Sequence, residues 1–454
     1  MSFNIEQNGK KRVVIVGGGF GGLKLANKLR GSGLQVVLID KNNYHQFPPL
    51  IYQIASAGIE PSAIAFPFRK MFKHRRDFYY RMAEARAVFP EQKILQTSIG
   101  KVKYDYLVFA AGTTTNFYGN KHIEDEAIPM KTLSEAMGLR NALLGNLERS
   151  VTCATEQERQ ELLNIVIVGG GATGIEIAGA IAEMRRYVLP KDYPELHGEN
   201  LNIHLIEASD RLLSGMSPQS SSKVKEFLEG MGVNVMLNNK VTDYIDHRVM
   251  LADGTSIPTR SFIWVSGVRA NTVANLPEAS IGRGGRIKVD AFNRVEGMDD
   301  VFCIGDQCIM TGDAAYPGGH PQLAQVAIQQ GNLLAANLRR LVRGEAMQPF
   351  AYRNLGSMAT VGRNRAVAEF ASFKTQGWFA WLLWLVVHLR SILGVRNKIA
   401  VLFSWLWDYI SYGHSIRLIV YARKAKEVID REEREARVHW GEDLRQQEGS
   451  GNRE

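Results

Sequence analysis

Residues 13–22 have the sequence VVIVGGGFGG, and residues 165–174 repeat the pattern as IVIVGGGATG. In both copies a β-branched apolar run predicts a buried parallel strand, and glycines in G-x-G-x-x-G spacing open the helix that follows. A second predicted strand ends in an acid, Asp40 after the first copy and Glu207 after the second. The sequence therefore predicts two βαβ units in an α/β fold with two Rossmann-like dinucleotide-binding domains.

The glycines of each copy have three different tasks. The first permits a tight turn, the second lets the backbone approach a pyrophosphate held at the helix N-terminus, and the third lets helix and strand pack closely. These positions are Gly17, Gly19 and Gly22 in the first copy and Gly169, Gly171 and Gly174 in the second. A lone motif also occurs in structural turns, but here strand, glycines, helix and terminal acid agree twice. Two dinucleotide sites on one chain indicate a bound flavin and a nicotinamide nucleotide.

Three more predicted strands end in residues that suit a cofactor site. Residues 104–112 (YDYLVFAAG) and 261–267 (SFIWVSG) both end in small side chains, which let the backbone pass close to a cofactor. Residues 301–306 (VFCIGD) form another predicted strand with an acid at its carboxyl end.

The composition is that of an ordinary globular protein. The 454 residues indicate about three domains at ~150 residues each. Contents of 45% hydrophobic and 22% charged residues exclude wholesale disorder and a multi-spanning membrane protein. Three cysteines without a C-x-x-C pair form no disulfide framework, which is typical of a reducing cytosolic setting. The polar N-terminal residues contain no apolar stretch that would predict an export signal.

Most of the net charge of +9 lies in one segment. Residues 373–426 contain eight Lys and Arg against one acid, Asp408, and five of the seven tryptophans. Apolar faces with Trp beside Lys and Arg predict amphipathic helices that lie in the plane of a membrane surface. The longest apolar run, 378–387, is shorter than the ~18–20 residues of a spanning helix. A dimerisation helix is the alternative, whereas nucleic-acid binding is disfavoured because the basic residues lie among apolar ones.

From about Arg12 to about Tyr412 the chain resembles the type II NADH dehydrogenases, which are single-subunit, non-proton-pumping flavoproteins with two dinucleotide-binding domains. The resemblance rests on both glycine motifs, the aromatic C-terminal segment and three local sequences: YHQFPPLIYQ at 44–53, Gly305-Asp306, and AQVAIQQG at 324–331. It implies an enzyme that transfers a hydride from NADH to FAD and then reduces a membrane quinone by two electrons, without pumping protons. It also implies a homodimer bound peripherally at the cytoplasmic face of the inner membrane.

We expect four parts along the chain. The FAD-binding domain is discontinuous, at 1–119 and 288–372, and the NADH-binding domain lies between these segments, at 120–287. Residues 373–426 form the membrane-surface helices, which contact an anionic lipid surface, and residues 427–454 form a charged tail.

The resemblance also implies which residues bind the two dinucleotides. On the FAD side they are Gly17, Gly19, Phe20, Gly21, Gly22, Asp40, Lys41, Gln53, Ala85, Ala110, Gly112 and Asp306. On the NADH side they are Gly169, Gly171, Thr173, Gly174, Glu176, Glu207, Ser266 and Gly267. The Glu207 carboxylate repels the 2′-phosphate of NADPH and accepts hydrogen bonds from the ribose of NADH, so we expect NADH to be preferred. Arg211 either softens that preference or pairs with a neighbouring acid.

Glu176 lies on the first turn of the helix after the second glycine motif. The helix dipole favours an acid there, and the resemblance implies a catalytic carboxyl that relays protons near nicotinamide and quinone. Gln325 and Gln329 share one helix face and are, with Lys398, the implied quinone-binding residues. The alternatives are glutamines that bridge to backbone and a lysine that contacts lipid phosphate. Ile328 stands where some relatives have a histidine.

Three alternatives come from other classes of protein. A thiol-using flavoprotein is disfavoured because no cysteine precedes Cys153, and Cys303 and Cys308 are interpreted as core residues. A soluble NADH-dependent reductase of the ferredoxin-reductase type is disfavoured by the aromatic C-terminal segment. A dinucleotide-sensing membrane adaptor without turnover stays open. The histidines form no cluster with metal-ligand spacing, so no metal is expected.

Overall fold

The computed structural model describes residues 3–196, 201–411 and 416–420. In these ranges the strands are β1 (Arg12–Val16), β2 (Gln35–Asp40), β3 (Tyr44–Gln46), β4 (Ala65–Pro67), β5 (Phe78–Met82), β6 (Ala85–Phe89), β7 (Ile94–Thr97), β8 (Gly100–Lys103), β9 (Tyr106–Phe109), β10 (Thr113–Thr115), β11 (Ile128–Pro129), β12 (Asn164–Val168), β13 (Asn202–Ile206), β14 (Val233–Met236), β15 (Val241–Ile245), β16 (Arg248–Leu251), β17 (Ser256–Pro258), β18 (Ser261–Trp264), β19 (Val268–Ala270), β20 (Ile287–Lys288), β21 (Val301–Cys303), β22 (Cys308–Ile309), β23 (Ser357–Gly362), β24 (Arg365–Glu369) and β25 (Lys374–Gln376). The helices are α1 (Phe20–Lys28), α2 (Ile51–Ala55), α3 (Pro61–Ile64), α4 (Phe68–Met71), α5 (Lys121–Glu126), α6 (Leu133–Thr152), α7 (Glu156–Leu163), α8 (Ala172–Tyr187), α9 (Leu189–Asp192), α10 (Pro218–Gly230), α11 (Ala324–Val342), α12 (Trp378–Ser391) and α13 (Val395–Ser411).

The first dinucleotide-binding unit is built on a five-stranded parallel sheet in the order β21-β9-β1-β2-β5. Successive strands lie on opposite sides of β1, so a crevice forms outside its carboxyl end. Val13 and Ile15 face a core shared with α1 and α11, whereas Val14 and Val16 face the small sheet β6-β7-β8. Both faces of β1 are covered, which explains why four consecutive residues of the strand are apolar.

The second unit repeats this design with the parallel order β11-β18-β12-β13-β14. Ile165 and Ile167 of β12 pack in a core with α6, α8 and α10. Val166 and Val168 face the sheet β15-β16-β17. The predicted α/β fold with two Rossmann-like units is confirmed.

Two contacts join these units to each other and to the C-terminal part. The antiparallel ribbon of β10 and β19 links the first unit to the second. Strand β23 packs on α8 so closely that a Cβ on Gly179 would lie 2.0 Å from the carbonyl oxygen of Val361, so only glycine fits there. The domain boundaries stay a prediction. The boundary expected at residue 372 falls between β24 and β25, which pair in one three-stranded sheet.

Helices α12 and α13 form the helical C-terminal segment. Eight of their apolar side chains are more than half exposed: Trp378, Phe379, Val386, Val395, Phe403, Leu406, Trp407 and Ile410. Their inner faces bury Trp384 and Val401. Among the described residues, no helix combines the length and apolarity needed to cross a membrane. The predicted tail at 427–454 and residues 421–426 lie outside the described residues.

Candidate functional site

Both glycine motifs fold into the same turn at the carboxyl end of the first strand of their unit. Gly17 and Gly169 have φ angles of +102° and +116°, which other residues rarely adopt. A Cβ on Gly22 would lie 1.9 Å from the carbonyl oxygen of Gly17. A Cβ on Gly174 would lie 1.8 Å from that of Gly169. The first and third glycines thus permit the turn and the close packing of helix on strand.

The second glycine of each motif borders open space. A Cβ on Gly19 or Gly171 would meet no atom of the described chain within 4 Å. No described side chain caps α1 or α8, whereas Thr132 caps α6 and Ser217 caps α10. The first-turn N–H groups of α1 and α8 have no intrahelical acceptor and lie at the positive end of the helix dipole. Each turn is therefore a cradle that fits a pyrophosphate.

Asp40 and Glu207 tie the second strand of each unit to its glycine turn. Asp40 Oδ2 accepts a hydrogen bond from the N–H of Gly18 at 2.6 Å. Glu207 Oε2 accepts the equivalent bond from the N–H of Gly170 at 2.5 Å. Burial raises the pKa of Asp40, and its backbone hydrogen bonds oppose the rise. The two units therefore present a carboxyl group at the same place beside the turn.

Asp306 lies in a short turn, Gly305–Gln307, just after β21. Burial raises the pKa of Asp306, and the charges of Lys131 and Arg286 oppose that rise. Lys131 follows β11 of the second unit, and burial lowers its pKa while Asp306 raises it. Sequence reasoning missed Lys131 because the residue belongs to no motif. Only the approach of the two units brings this cation near the acid.

Other residues predicted for FAD lie at strand ends or beside the first turn. Ala110 follows β9 and donates its N–H to the carbonyl oxygen of Val16 at 2.7 Å. Gly112 has a φ of +65° and borders open space. Ala85 begins β6.

Three predicted FAD residues lie close to the start of α1. Phe20 contacts the rings of His45 and Phe47, with centroids 5.5 and 5.8 Å apart. Gly21 packs against α11, and the exposed Lys41 follows β2. FAD contacts by these residues stay predictions.

The residues predicted for NADH surround the second turn. Ser266 and Gly267 follow β18, and a Cβ on the first glycine of the motif would lie 3.0 Å from Ser266 Cα. Gly267 has a φ of +83°, and Thr173 is exposed on the first turn of α8. Arg211 donates a hydrogen bond to the carbonyl oxygen of Ser214 at 3.0 Å.

Glu176 lies on α8 next to the C-terminal part of the chain. Burial raises its pKa from 4.5 to about 8, and a hydrogen bond from the backbone N–H of Thr360 opposes the rise. The phenol of Tyr52 is buried, and its pKa is raised by burial and by the negative charge of Glu176. Glu176 therefore holds a proton near neutral pH, which suits a proton relay.

Gln325 and Gln329 lie on the first turns of α11 and hold the segment 353–356. The Gln325 amide donates to the carbonyl oxygen of Gly356 at 3.0 Å and accepts from the N–H of Leu355 at 2.8 Å. The Gln329 amide makes the same pair of bonds with Arg353, at 2.8 and 3.0 Å. Both side chains thus bridge to backbone, and their contact with a quinone stays a prediction.

Lys398, the third residue predicted for the quinone, lies on α13. Its ammonium donates a hydrogen bond to the carbonyl oxygen of Arg390 at 2.8 Å, near the end of α12. A cation there stabilises the carboxyl end of the helix. Lys398 therefore links the two C-terminal helices, and its role toward quinone stays a prediction.

A cavity lies between α2, α8, the turn after β23, and the two C-terminal helices. Its volume is about 820 Å³, counting the part that opens to solvent. Tyr52, Glu183, Arg363 and Asp408 line the polar part, and Trp384 belongs to the aromatic part. No sequence motif indicated this cavity, because its walls come from distant elements.

Gln53 lines the same cavity. Its amide oxygen accepts a hydrogen bond from the indole N–H of Trp405 at 2.9 Å. Its amide nitrogen donates to the hydroxyl of Tyr52 at 3.0 Å. The contact of Gln53 with FAD stays a prediction.

Two family models match the chain. Residues 11–331 match the pyridine nucleotide-disulphide oxidoreductases, and residues 354–411 match the NDH2 C-terminal domain. Because the first match covers more than half of the chain, the protein belongs to the pyridine nucleotide-disulphide oxidoreductase family.

Individual relatives narrow this class. The type II NADH:quinone oxidoreductase NdhA of Mycobacterium tuberculosis is 33% identical over 414 residues, which cover 87% of each chain. Ndh of the same organism is 32% identical over 417 residues, or 88% of this chain and 89% of Ndh. NDH2 from Plasmodium falciparum, solved in complex with NADH, has a TM-score of 0.82 at 20% identity and covers 89% of this chain and 100% of its own. The chain belongs to the type II NADH:quinone oxidoreductase family, which confirms the resemblance.

Cys303 and Cys308 are buried core residues, as the sequence predicted. Cys303 on β21 and Cys308 on β22 are 0% and 2% exposed and pack in the core of the first unit. Across the described ranges no group of three or more His, Cys, Asp and Glu side chains could hold a metal ion.

Proposed function

We propose that the chain is an NADH:quinone oxidoreductase with FAD at the first turn and NADH at the second. The observation that carries the proposal is the pair of glycine turns in a chain of this family. Each turn donates a backbone hydrogen bond to a carboxylate, Asp40 or Glu207, and each lies next to a helix start that no side chain caps. FAD, when bound, accepts a hydride from NADH and passes two electrons to the quinone. The protein contributes binding, orientation and the handling of protons.

At the first turn, Asp40 has acceptor positions beyond its bond to Gly18. Its carboxylate has about four lone-pair sites, so it also accepts hydrogen bonds from the adenosine ribose of FAD. The first-turn N–H groups of α1 would hold the pyrophosphate of FAD, and Asp306 would hold its ribityl chain, as the family resemblance implies.

At the second turn, Glu207 selects the nucleotide. The Ser209 hydroxyl and N–H donate to Glu207 Oε1 at 2.6 and 2.8 Å, so the carboxylate is held beside the turn. A fixed negative charge there repels a 2′-phosphate and accepts from free ribose hydroxyls. NADH is therefore preferred over NADPH.

The quinone receives its proton from Glu176 and contacts α11. With a pKa of about 8, Glu176 carries a proton at neutral pH and releases it to a more basic oxygen. Gln325 and Gln329 each use one amide N–H on the 353–356 backbone, so each keeps a second N–H for a quinone carbonyl. Lys398 is the third quinone-binding residue that the family resemblance implies.

The C-terminal helices bind the protein peripherally to an anionic membrane surface at its cytoplasmic face. Asp408, the only acid in 373–426, lines the cavity, so the exposed apolar strip of α12 and α13 carries no acid among its described residues. Each basic residue beside anionic lipid contributes ~1 kcal/mol, and aromatic burial adds to that. The functional unit is a homodimer.

Stopped-flow flavin absorbance tests this function with the purified, FAD-loaded chain. We expect NADH to bleach the flavin and a soluble quinone analogue to restore its absorbance. A chain without flavin, or one that NADH does not bleach, would favour the adaptor alternative. Restoration by ferredoxin and not by quinone would favour a soluble reductase.

A further inference from the structure

The cavity walls carry ionisable groups that have no role in the proposed hydride transfer. Glu183 and Asp408 both line the cavity, and Arg363 lies between them. The backbone N–H of Arg363 donates to Glu183 Oε1 at 2.5 Å, and its guanidinium donates to the carbonyl oxygen of Asp408. The guanidinium also lies 4.6 Å from the centre of the Tyr409 ring. The cavity lining thus combines these polar groups with the rings of Trp381, Trp384 and Trp405.

Glu183 is aligned with Glu176 along α8. They are seven positions apart, so they share a helix face and lie about 10 Å apart at 1.5 Å per residue. Ala180, between them, lines the cavity with only a methyl group and leaves that face open. Thr360 also lines the cavity, and its N–H binds the Glu176 carboxylate. The negative charges of both acids raise the pKa of the Tyr52 hydroxyl.

The proposed reaction needs one proton from solvent per turnover. NADH, quinone and one H⁺ give NAD⁺ and quinol. The hydride carries two electrons and one proton, and the second proton on the quinol comes from water. A site enclosed beneath aromatic helices therefore needs a polar route for that proton.

We propose, resting on the proposed function, that the cavity is this proton entry. A proton passes from solvent to Asp408, from Asp408 to Glu183, and through cavity water and the Tyr52 hydroxyl to Glu176. Only O–H bonds form and break along the route, and each turnover moves one proton inward. Glu183 and Asp408 act in this route as positioning residues for the proton.

The charges around the cavity fit this route. Burial raises the pKa of Asp408 to about 7, opposed by Arg363. Burial also raises the pKa of Glu183, opposed by the N–H and charge of Arg363 and by the charge of Arg365. Behind Trp384, burial lowers the pKa of His388 to about 4, so its ring stays neutral. Among the described residues, the other ionisable groups that line the cavity are the phenols of Tyr52, Tyr187 and Tyr409.

The full chain loaded with FAD tests the route. In Glu183→Gln and Asp408→Asn we expect unchanged bleaching by NADH, quinone-driven recovery slowed at least about tenfold, and a larger slowing in D₂O. A small weak acid such as acetic acid should partly restore the rate. Glu229→Gln, an exposed acid on α10, is the control and should behave as wild type. Ala180→Leu, which keeps both acids and fills the gap, should slow the same step.

A measurement without substrate gives a second test. The infrared carboxylic-acid band of the flavin-loaded wild type should titrate near pH 7, and Asp408→Asn should remove that component. The route is wrong if neither acid variant changes quinone-driven recovery between about pH 6 and 9. It is also wrong if the variants raise only the KM for quinone, since that outcome would make the cavity a quinone site. A wild type that no quinone reoxidises contradicts the proposed function instead, and the infrared titration then decides the proton route alone.

Discussion

The indole N–H of Trp405 donates a 2.9 Å hydrogen bond to the amide oxygen of Gln53, across 352 positions of sequence. Gln53 in turn donates to the hydroxyl of Tyr52 at 3.0 Å. This pair of bonds ties α13 to α2 and closes one side of the cavity. The C-terminal helices are therefore part of the site as well as a surface segment.

Replacing Trp405 by Phe should destabilise the protein by about 1–2 kcal/mol, because the Gln53 oxygen loses its donor in a partly buried place. Chemical denaturation followed by fluorescence measures the loss. Trp407→Phe is the control, since the Trp407 ring is 63% exposed. Equal stability of the two variants would contradict the structural role of the Trp405 bond.

Glu207→Gln should raise kcat/KM for NADPH relative to NADH about tenfold, equivalent to ~1.4 kcal/mol, because the charge that repels the 2′-phosphate is removed. Steady-state kinetics with both nucleotides measure the ratio, and FAD content should not change. Asp40→Asn, the matched change in the first unit, should lower FAD content and leave the ratio as it is. If Asp40→Asn changed the nucleotide ratio and Glu207→Gln lowered FAD content, NADH would bind at the first turn and FAD at the second.

Glu176→Gln should slow turnover at saturating NADH and quinone with little effect on FAD content.

The pKa of Glu176 is 4.5 in the unfolded chain and about 8 in the folded chain, so the folded state binds more protons between these pH values. Its contribution to stability therefore falls as pH rises from 4.5 to about 8. Relative to wild type, Glu176→Gln should be more stable at pH 8 than at pH 4.5, as thermal unfolding measures. If the turnover rate of Glu176→Gln equals that of the wild type, Glu176 is not part of the proton relay.

Gln325→Ala should lower stability by about 1 kcal/mol and also raise the KM for quinone, because its amide holds the 353–356 backbone and is predicted to bind quinone. Asn337→Ala is the matched control on the same helix, since the Asn337 amide makes the same pair of bonds with the backbone of Gln348, both at 2.8 Å. Asn337→Ala should lose similar stability with no change in KM. If both variants leave KM unchanged, Gln325 is a backbone bridge only.

The double variant Phe403→Ser, Trp407→Ser should lose most binding to vesicles that contain anionic lipid, since the two rings are 65% and 63% exposed. Burial of one large apolar side chain is worth roughly 1.5–3 kcal/mol, so sedimentation with vesicles should fall more than tenfold. Ile245→Ser, 46% exposed on β15, is the control. Undiminished binding would favour a dimerisation surface instead.

Local patterns predicted the fold, which the structure confirms, and the dinucleotide-binding residues, whose contacts with FAD and NADH stay predictions. A β-branched run, three glycines and a terminal acid act within about one βαβ unit, so spacing alone predicts the turn at Gly17 and the acid at Asp40. The chemistry of Glu207 also follows from its position at a strand end. These features depend on neighbours close in sequence, where period and residue type carry the information.

Only the tertiary structure decided which distant side chains meet. It brings Lys131 near Asp306, bonds Trp405 to Gln53 and places Asp408 in a cavity wall. No sequence motif around Lys131, Trp405 or Asp408 indicated these contacts. It also engages Gln325 with backbone that lies about thirty residues further along the chain. Such contacts depend on how whole elements pack, and no local periodicity encodes that packing. The sequence therefore determined the two glycine turns and predicted a dinucleotide at each, and the packing of its last two helices decided how the cavity is enclosed.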